Sequence, residues 1–183
     1  MSTAPALAFS HVGLFVRDEA AMADFYERVL GFTVTDRGQL GAARLAFFSR
    51  DPHEHHQIVM VSGRAETLPF NVINQISFRV AGLAELRAAH DRVAAERVAD
   101  LVAVTHGNAW SIYFLDPDGN RLEIFADTPW YVRQPLREPI DFALTDDVIF
   151  QRTEALCRAL PDFKPVATWQ AEMAGRMRAA AEA

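Results

Sequence analysis

The sequence predicts an α+β chain in which two βαβββ modules build a curved mixed sheet around a cup, followed by a helical tail. Three observations lead there. Residues 10–18, SHVGLFVRD, and 74–82, NQISFRVAG, both alternate apolar with polar positions and are rich in β-branched and aromatic residues, so a strand pattern occurs twice. Each stretch is followed by a segment with helical spacing. Each helical segment is then followed by three further strand-like runs.

The first helical segment, EAAMADFYERVLG, puts Met22, Phe25, Val29 and Leu30 on one face and stops at Gly31. FTVTDR, ARLAFFS and HQIVMVS follow as strands. A proline-containing connector spans about residues 64–73. The second helix runs from Leu83 to about Val98, with Leu83, Leu86, His90 and Val93 at matching spacing. LVAVT, SIYFLD and RLEIFAD complete the second set, the last two joined by Asp116-Pro117-Asp118-Gly119-Asn120, a tight-turn sequence. The modules, about 8–63 and 72–127, make one domain over 1–127.

Residues 128–183 form a C-terminal extension. TPWYVRQPLREP has too much proline for regular helix or internal strand. Thr145 then caps a helix with Asp146 and Asp147 in its first turn and an apolar stripe at Ile149, Leu156 and Leu160, ended by Pro161. The final TWQAEMAGRMRAAAEA has high helix propensity and little core, and its end is expected to fray. Such a tail would pack on the double module or on a second copy, so a homodimer is among the expected assemblies.

Composition narrows the function classes. The 183 residues are 50% hydrophobic and 23% charged, an ordinary balance for a folded domain. A net charge of -6 argues against a nucleic-acid surface. No apolar run approaches the roughly 18 residues needed to span a bilayer, and MSTAPALAFS lacks the features of a secretory signal. With Cys157 as the single cysteine, no internal disulfide can form. The expectation is a cytoplasmic protein with a small-molecule partner.

Two residues stand out chemically. His11 lies in the first strand of module one, where a histidine is commonly structural. Glu123 lies in RLEIF, a strand that otherwise alternates toward the core, so it must be paired, metal-bound or solvated on the outer face. The repeat relates them: the places equivalent to His11 and Glu123 in the opposite modules are Gln75 and Gln57 or its neighbour. Four polar groups at matched strand positions suggest donors gathered around one metal ion. His90 falls at helical packing spacing, and Cys157 has no histidine near it in sequence to make it a nucleophile.

The pattern HVGLFVRD…FYERVLGF…HHQIVMV…DPDGNRLEIF resembles the vicinal oxygen chelate superfamily (glyoxalase, bleomycin resistance and extradiol dioxygenase proteins). Within it, the chain is most similar to type I extradiol ring-cleaving dioxygenases, over roughly residues 9–127. The resemblance implies a divalent metal in the cup, Fe(II) first, with Mn, Ni or Zn as alternatives. It carries ligand roles onto His11 and Glu123. At the place of the dioxygenases' second ligand histidine this chain has Gln75, which would bind through its carbonyl oxygen, a weaker donor for Fe(II) than imidazole. The His55-His56 pair at a strand start carries the dioxygenases' acid–base role onto His56, whose type titrates near neutrality. The stretch from His106 to Tyr113 implies substrate contacts by His106 and Asn108 and a catalytic hydrogen bond from Tyr113.

The function implied is an oxidoreductase, an extradiol-dioxygenase-like enzyme using O2 on a small aromatic diol. The alternatives are a glyoxalase- or isomerase-type enzyme using the metal as a Lewis acid, and a non-catalytic small-molecule binding protein of the same fold.

Overall fold

Two βαβββ units succeed one another in the computed structural model, which describes residues 8–67 and 70–182. Most of the N-terminal stretch read for a targeting signal lies outside those residues, as do two positions of the 64–73 connector and the last residue of the tail. The first unit is β1 (Val12–Val16), α1 (Glu19–Arg28), β2 (Thr33–Leu40), β3 (Ala43–Ser49) and β4 (Ile58–Ser62). The second is β5 (Ile76–Arg79), α2 (Leu83–Ala95), β6 (Val102–Thr105), β7 (Ala109–Leu115) and β8 (Arg121–Asp127). In each, the strand before the helix runs parallel to the last strand, while the remaining pairings are antiparallel. The sheet orders are therefore equivalent, β1-β4-β3-β2 and β5-β8-β7-β6.

Local chemistry sets the helix bounds. Asp18 caps α1 by accepting from the Ala21 amide at 3.0 Å, and Gly31, at φ +72°, turns the chain toward β2. The α2 helix ends at Ala95, short of the expected Val98. Arg97 and Asp100 adopt the left-handed region, φ 53° and 58°, which cannot continue a right-handed helix.

Strand alternation divides each sheet into a core face and an open face. In module two, Trp110, Ile112 and Phe114 of β7 and Leu122, Ile124 and Ala126 of β8 are buried in the core. Their neighbours Tyr113, Arg121 and Glu123 belong to the other face. In module one, Leu14, Val16, Ile58 and Met60 face the core, leaving Phe15 exposed on the other side. The two core faces meet through α1: Phe25 lies 6.4 Å from Phe114, and fully buried Tyr26 packs against Phe32 and Phe48. The Asp116–Asn120 turn clips the modules together. Asp116 accepts from the amides of Asp118 and Asn120, Tyr26 donates to Asp116, and the Arg17 amide donates to Asp118 at 2.8 Å. That clip fixes where β8, and so Glu123, begins.

Among the described residues the sheets remain separate hydrogen-bonded ladders, with β1 and β5 as unpaired edges. A groove of about 840 Å³ touches both edges, its apolar lining including Val12, Ile58, Ile73, Ile76 and Phe78. Phe9, Phe70 and Val72 are exposed near these edges in sequence.

The extension adds β9 (Trp130–Tyr131), β10 (Glu138–Pro139), α3 (Asp146–Arg158), β11 (Lys164–Pro165) and α4 (Val166–Glu182). β10 joins β6 as an outer strand, a position that tolerates proline. Thr145 caps α3 as expected, but the buried face is Ile149, Thr153 and Cys157 rather than Ile149, Leu156 and Leu160. A polar anchor explains the rotation: the Trp110 indole N–H donates to Thr153 Oγ1 at 2.9 Å, both side chains being buried. Thr153→Val would leave that N–H unsatisfied, and thermal unfolding should report a loss of about 1–3 kcal/mol. No helix among the described residues is long and apolar enough to cross a membrane.

Candidate metal and substrate site

The sequence-predicted residues fall into two clusters, one on each module. On module one, His11 precedes β1 and His56 precedes β4, and their rings stand 4.4 Å apart. His56 also meets Phe47, at 5.3 Å, and its Nδ1 lies 2.9 Å from Nδ1 of His55. Partial burial, reinforced by the neighbouring His11 and His55 rings, lowers the His56 pKa below the usual histidine value. His56 is thereby favoured as the neutral base near pH 7. Gln57 is engaged elsewhere, its side-chain oxygen accepting from the Arg50 amide at 3.0 Å.

On module two, the parallel register of β5 with β8 sets Ser77 opposite Glu123, and β7 sets Tyr113 on its other side. The Glu123 carboxylate, 7% exposed, accepts from Gln75 Nε2 at 2.8 Å, from Ser77 Oγ at 2.5 Å and from the Tyr113 hydroxyl at 2.6 Å. His106 Nε2 lies 2.9 Å from the same hydroxyl, and its Nδ1 lies 2.7 Å from the Leu136 carbonyl. With Nδ1–H donating to Leu136, filling both bonds at Tyr113 needs one proton between His106 and the hydroxyl and another between the hydroxyl and Glu123. The three groups therefore form one continuous hydrogen-bonded series ending at a carboxylate. Asn108 points elsewhere, its Oδ1 accepting from Gln134 Nε2 at 3.3 Å in the extension.

Burial and the hydrogen bond to Glu123 push the Tyr113 pKa up to about 12. The phenol is consequently a donor, not a base, throughout the physiological range. A raised folded-state pKa means that its contribution to stability is complete below the unfolded value near 10 and is lost as pH rises toward 12. Ultraviolet titration of the metal-free protein should show one tyrosine ionising near 12, moving down in Glu123→Gln as the anionic acceptor is removed.

Imidazole, amide oxygen and carboxylate are suitable donors for a divalent ion. Gln75 and Glu123 adjoin, but His11 sits with His56 on the other module. Among the described residues no group of three or more His, Cys, Asp and Glu side chains stands close enough together to hold a metal. The donor types thus suit a divalent ion, and they stand in two clusters, Gln75 with Glu123 and His11 with His56.

Sequence reasoning missed Ser77, although its place two residues after Gln75 put it on the same strand face. It also missed Leu136 and Gln134, whose approach to His106 depends on the path of the extension and has no local signature.

A family model described as Glyoxalase/Bleomycin resistance protein/Dioxygenase superfamily matches residues 8–124. Biphenyl-2,3-diol 1,2-dioxygenase 2 of Rhodococcus globerulus is 28% identical over 123 residues, 65% of this chain and 62% of that protein. The chain thus spans under two thirds of that relative's length. Among solved structures, a glyoxylase/bleomycin resistance protein/dioxygenase domain from Frankia sp. EAN1pec matches with a TM-score of 0.57 and 23% identity, over 68% of this chain and 100% of that one. The fosfomycin resistance protein FosX of Listeria monocytogenes, complexed with Mn(II) and sulfate, matches with a TM-score of 0.54 and 21% identity, over 68% and 95%. These similarities extend the paired-module fold to proteins of differing chemistry.

Proposed function

Because the chain belongs to the Glyoxalase/Bleomycin resistance protein/Dioxygenase superfamily, we propose that it is a divalent-metal enzyme of the extradiol-dioxygenase type, opening small aromatic diols with O2. The observation that carries this reading is the hydrogen-bonded series His106–Tyr113–Glu123, which sets a protonated phenol and an imidazole beside a carboxylate ligand. The 28% identity to a biphenyl-diol dioxygenase points the same way. Gln75 and Glu123 would hold the metal, with His11 completing the set, and the metal would supply binding of the diol oxygens and activation of O2. Fe(II) is the proposed ion, with Mn(II) the next choice on the FosX structure.

The side chains divide the remaining work. Tyr113, held neutral, gives its one O–H to Glu123 in the metal-free protein; with that carboxylate on a metal, the O–H would turn to a substrate oxygen while His106 orients the hydroxyl from behind. His56, neutral at pH 7, accepts a diol proton at a ring nitrogen and returns it after ring opening. In His56→Ala, turnover should fall by about 10²–10⁴-fold while metal content stays constant. Unchanged turnover in the folded variant would remove His56 from the reaction.

The proposed ligand set would be shared in a homodimer, His11 of one copy joining Gln75 and Glu123 of the other. Strand edges at β1 and β5 left unpaired among the described residues, an apolar groove touching both, and the placing of His11 in a different cluster from Gln75 and Glu123 support that assembly.

Loading the anaerobically purified protein with Fe(II) and measuring O2 uptake across a panel of catechols tests the activity. Uptake with ring-opened product is expected; no uptake with any diol would overturn the reading. Gln75, a neutral oxygen donor, favours a second reading, a Lewis-acid isomerase of the glyoxalase type. Turnover of a hemithioacetal followed in the ultraviolet, without O2, would establish that one instead.

A further inference from the structure

We propose that the pocket beside Tyr113 selects aromatic substrates bearing a carboxylate, read by Arg137 from the C-terminal extension together with Arg121. This specificity rests on the diol-cleaving reading of the same site.

The pocket holds about 370 Å³, room for one substituted ring, and Gln75, His106 and Tyr113 form the wall it shares with the Glu123 network. Val102 and Leu115 give it an apolar side. Its charged lining is two arginines, Arg121 and Arg137, against one carboxylate, Asp100, so the lining carries an excess positive charge in a chain whose net charge is -6. Neither arginine forms an ion pair among the described residues, although most of the ion pairs there use an arginine. A guanidinium already neutralised by a carboxylate would have little left for a ligand; these two have their donor forks free.

Both are placed by the backbone. Arg121 precedes Glu123 by two residues on β8, and strand alternation puts the two on one face. Arg137 lies outside the residues matched by the family model, yet its guanidinium stands 5.8 Å from the centre of the Tyr113 ring. Its neighbours fasten it there: the Leu136 carbonyl faces His106 Nδ1 at 2.7 Å, and Glu138 pairs with Thr105 in the β10–β6 ladder. The extension thus delivers a cation to the mouth of a pocket whose inner wall is the reactive network. A planar fork of N–H donors matches the two oxygens of a carboxylate, and the apolar side accommodates the ring that carries it.

Calorimetric titration of the full-length protein with 3,4-dihydroxybenzoate and with 4-methylcatechol tests this without requiring turnover. The carboxylate ligand should bind at least about tenfold more tightly, and that ratio should collapse toward one in Arg137→Gln and in Arg121→Gln, with circular dichroism reporting an intact fold. Equal affinities in the unaltered protein, or a ratio unmoved by either substitution, would overturn the proposal. Parallel O2-uptake assays on the Fe(II)-loaded protein separate the two readings. Selective carboxylate binding without O2 uptake would sustain the specificity and sink the dioxygenase; cleavage of both diols with no binding preference would do the reverse.

Discussion

Glu123→Gln should eliminate metal-dependent turnover, by at least about 100-fold, while leaving the fold in place. The substitution is isosteric, and the amide can still accept from Ser77 or Tyr113, so the module-two network loses its charge without leaving a cavity. What disappears is the anionic oxygen donor, for which no neighbouring side chain substitutes: Gln75 and Ser77 are neutral, and the module-two network has no second acid in contact. Metal content measured after loading and desalting should fall with activity. Retention of stoichiometric metal at full turnover would mean that the ion is held elsewhere.

The second large effect is on stability. Gly107→Ala should destabilise the protein by about 2–5 kcal/mol, the sum of a left-handed backbone penalty and overpacking. Gly107 has φ +75°, and a Cβ there would collide with Val132, stand 2.9 Å from Leu136 Cδ2 and press on Cys157. All three neighbours belong to the extension, so relief of the clash requires the extension to lift away. Because the Leu136 carbonyl faces His106, that movement also frees the imidazole, and turnover should fall together with thermal stability. Gly119→Ala is the control. It shares a positive φ, +78°, but has open space around its Cβ, so it should lose only the backbone part, about 1–2 kcal/mol.

The repeat made much of this fold legible. Alternation in SHVGLFVRD and NQISFRVAG, the cap at Thr145 and the Asp116–Asn120 turn all reflect local chemistry, and each element stands where that chemistry puts it. The end of α2 escaped because the left-handed turns at Arg97 and Asp100 carry no glycine to announce them. The α3 face escaped because an indole partner for Thr153 comes from β7, 43 residues away. For the site, matched module positions picked out His11, Gln75 and Glu123, of which Gln75 and Glu123 adjoin, while His56, carried over by the family resemblance, adjoins His11. Pseudo-symmetry identified equivalent places but not whether one chain closes the cup, a matter of how the edges of β1 and β5 are paired. Arg137 had no sequence signal at all, since its approach to Tyr113 follows from the path of an extension outside the repeat.

The shared site between copies is tested most directly by mixing two inactive variants. Differently tagged His11→Ala and Glu123→Gln chains, co-expressed and purified as the mixed dimer, would combine one site carrying both substitutions with one carrying neither. If His11 of one copy joins Glu123 of the other, the mixed dimer should bind about one metal ion and recover about half of the unaltered dimer's turnover. If the ligands come from a single chain, each half remains defective, and a stable mixed dimer with no metal and no activity would contradict the account.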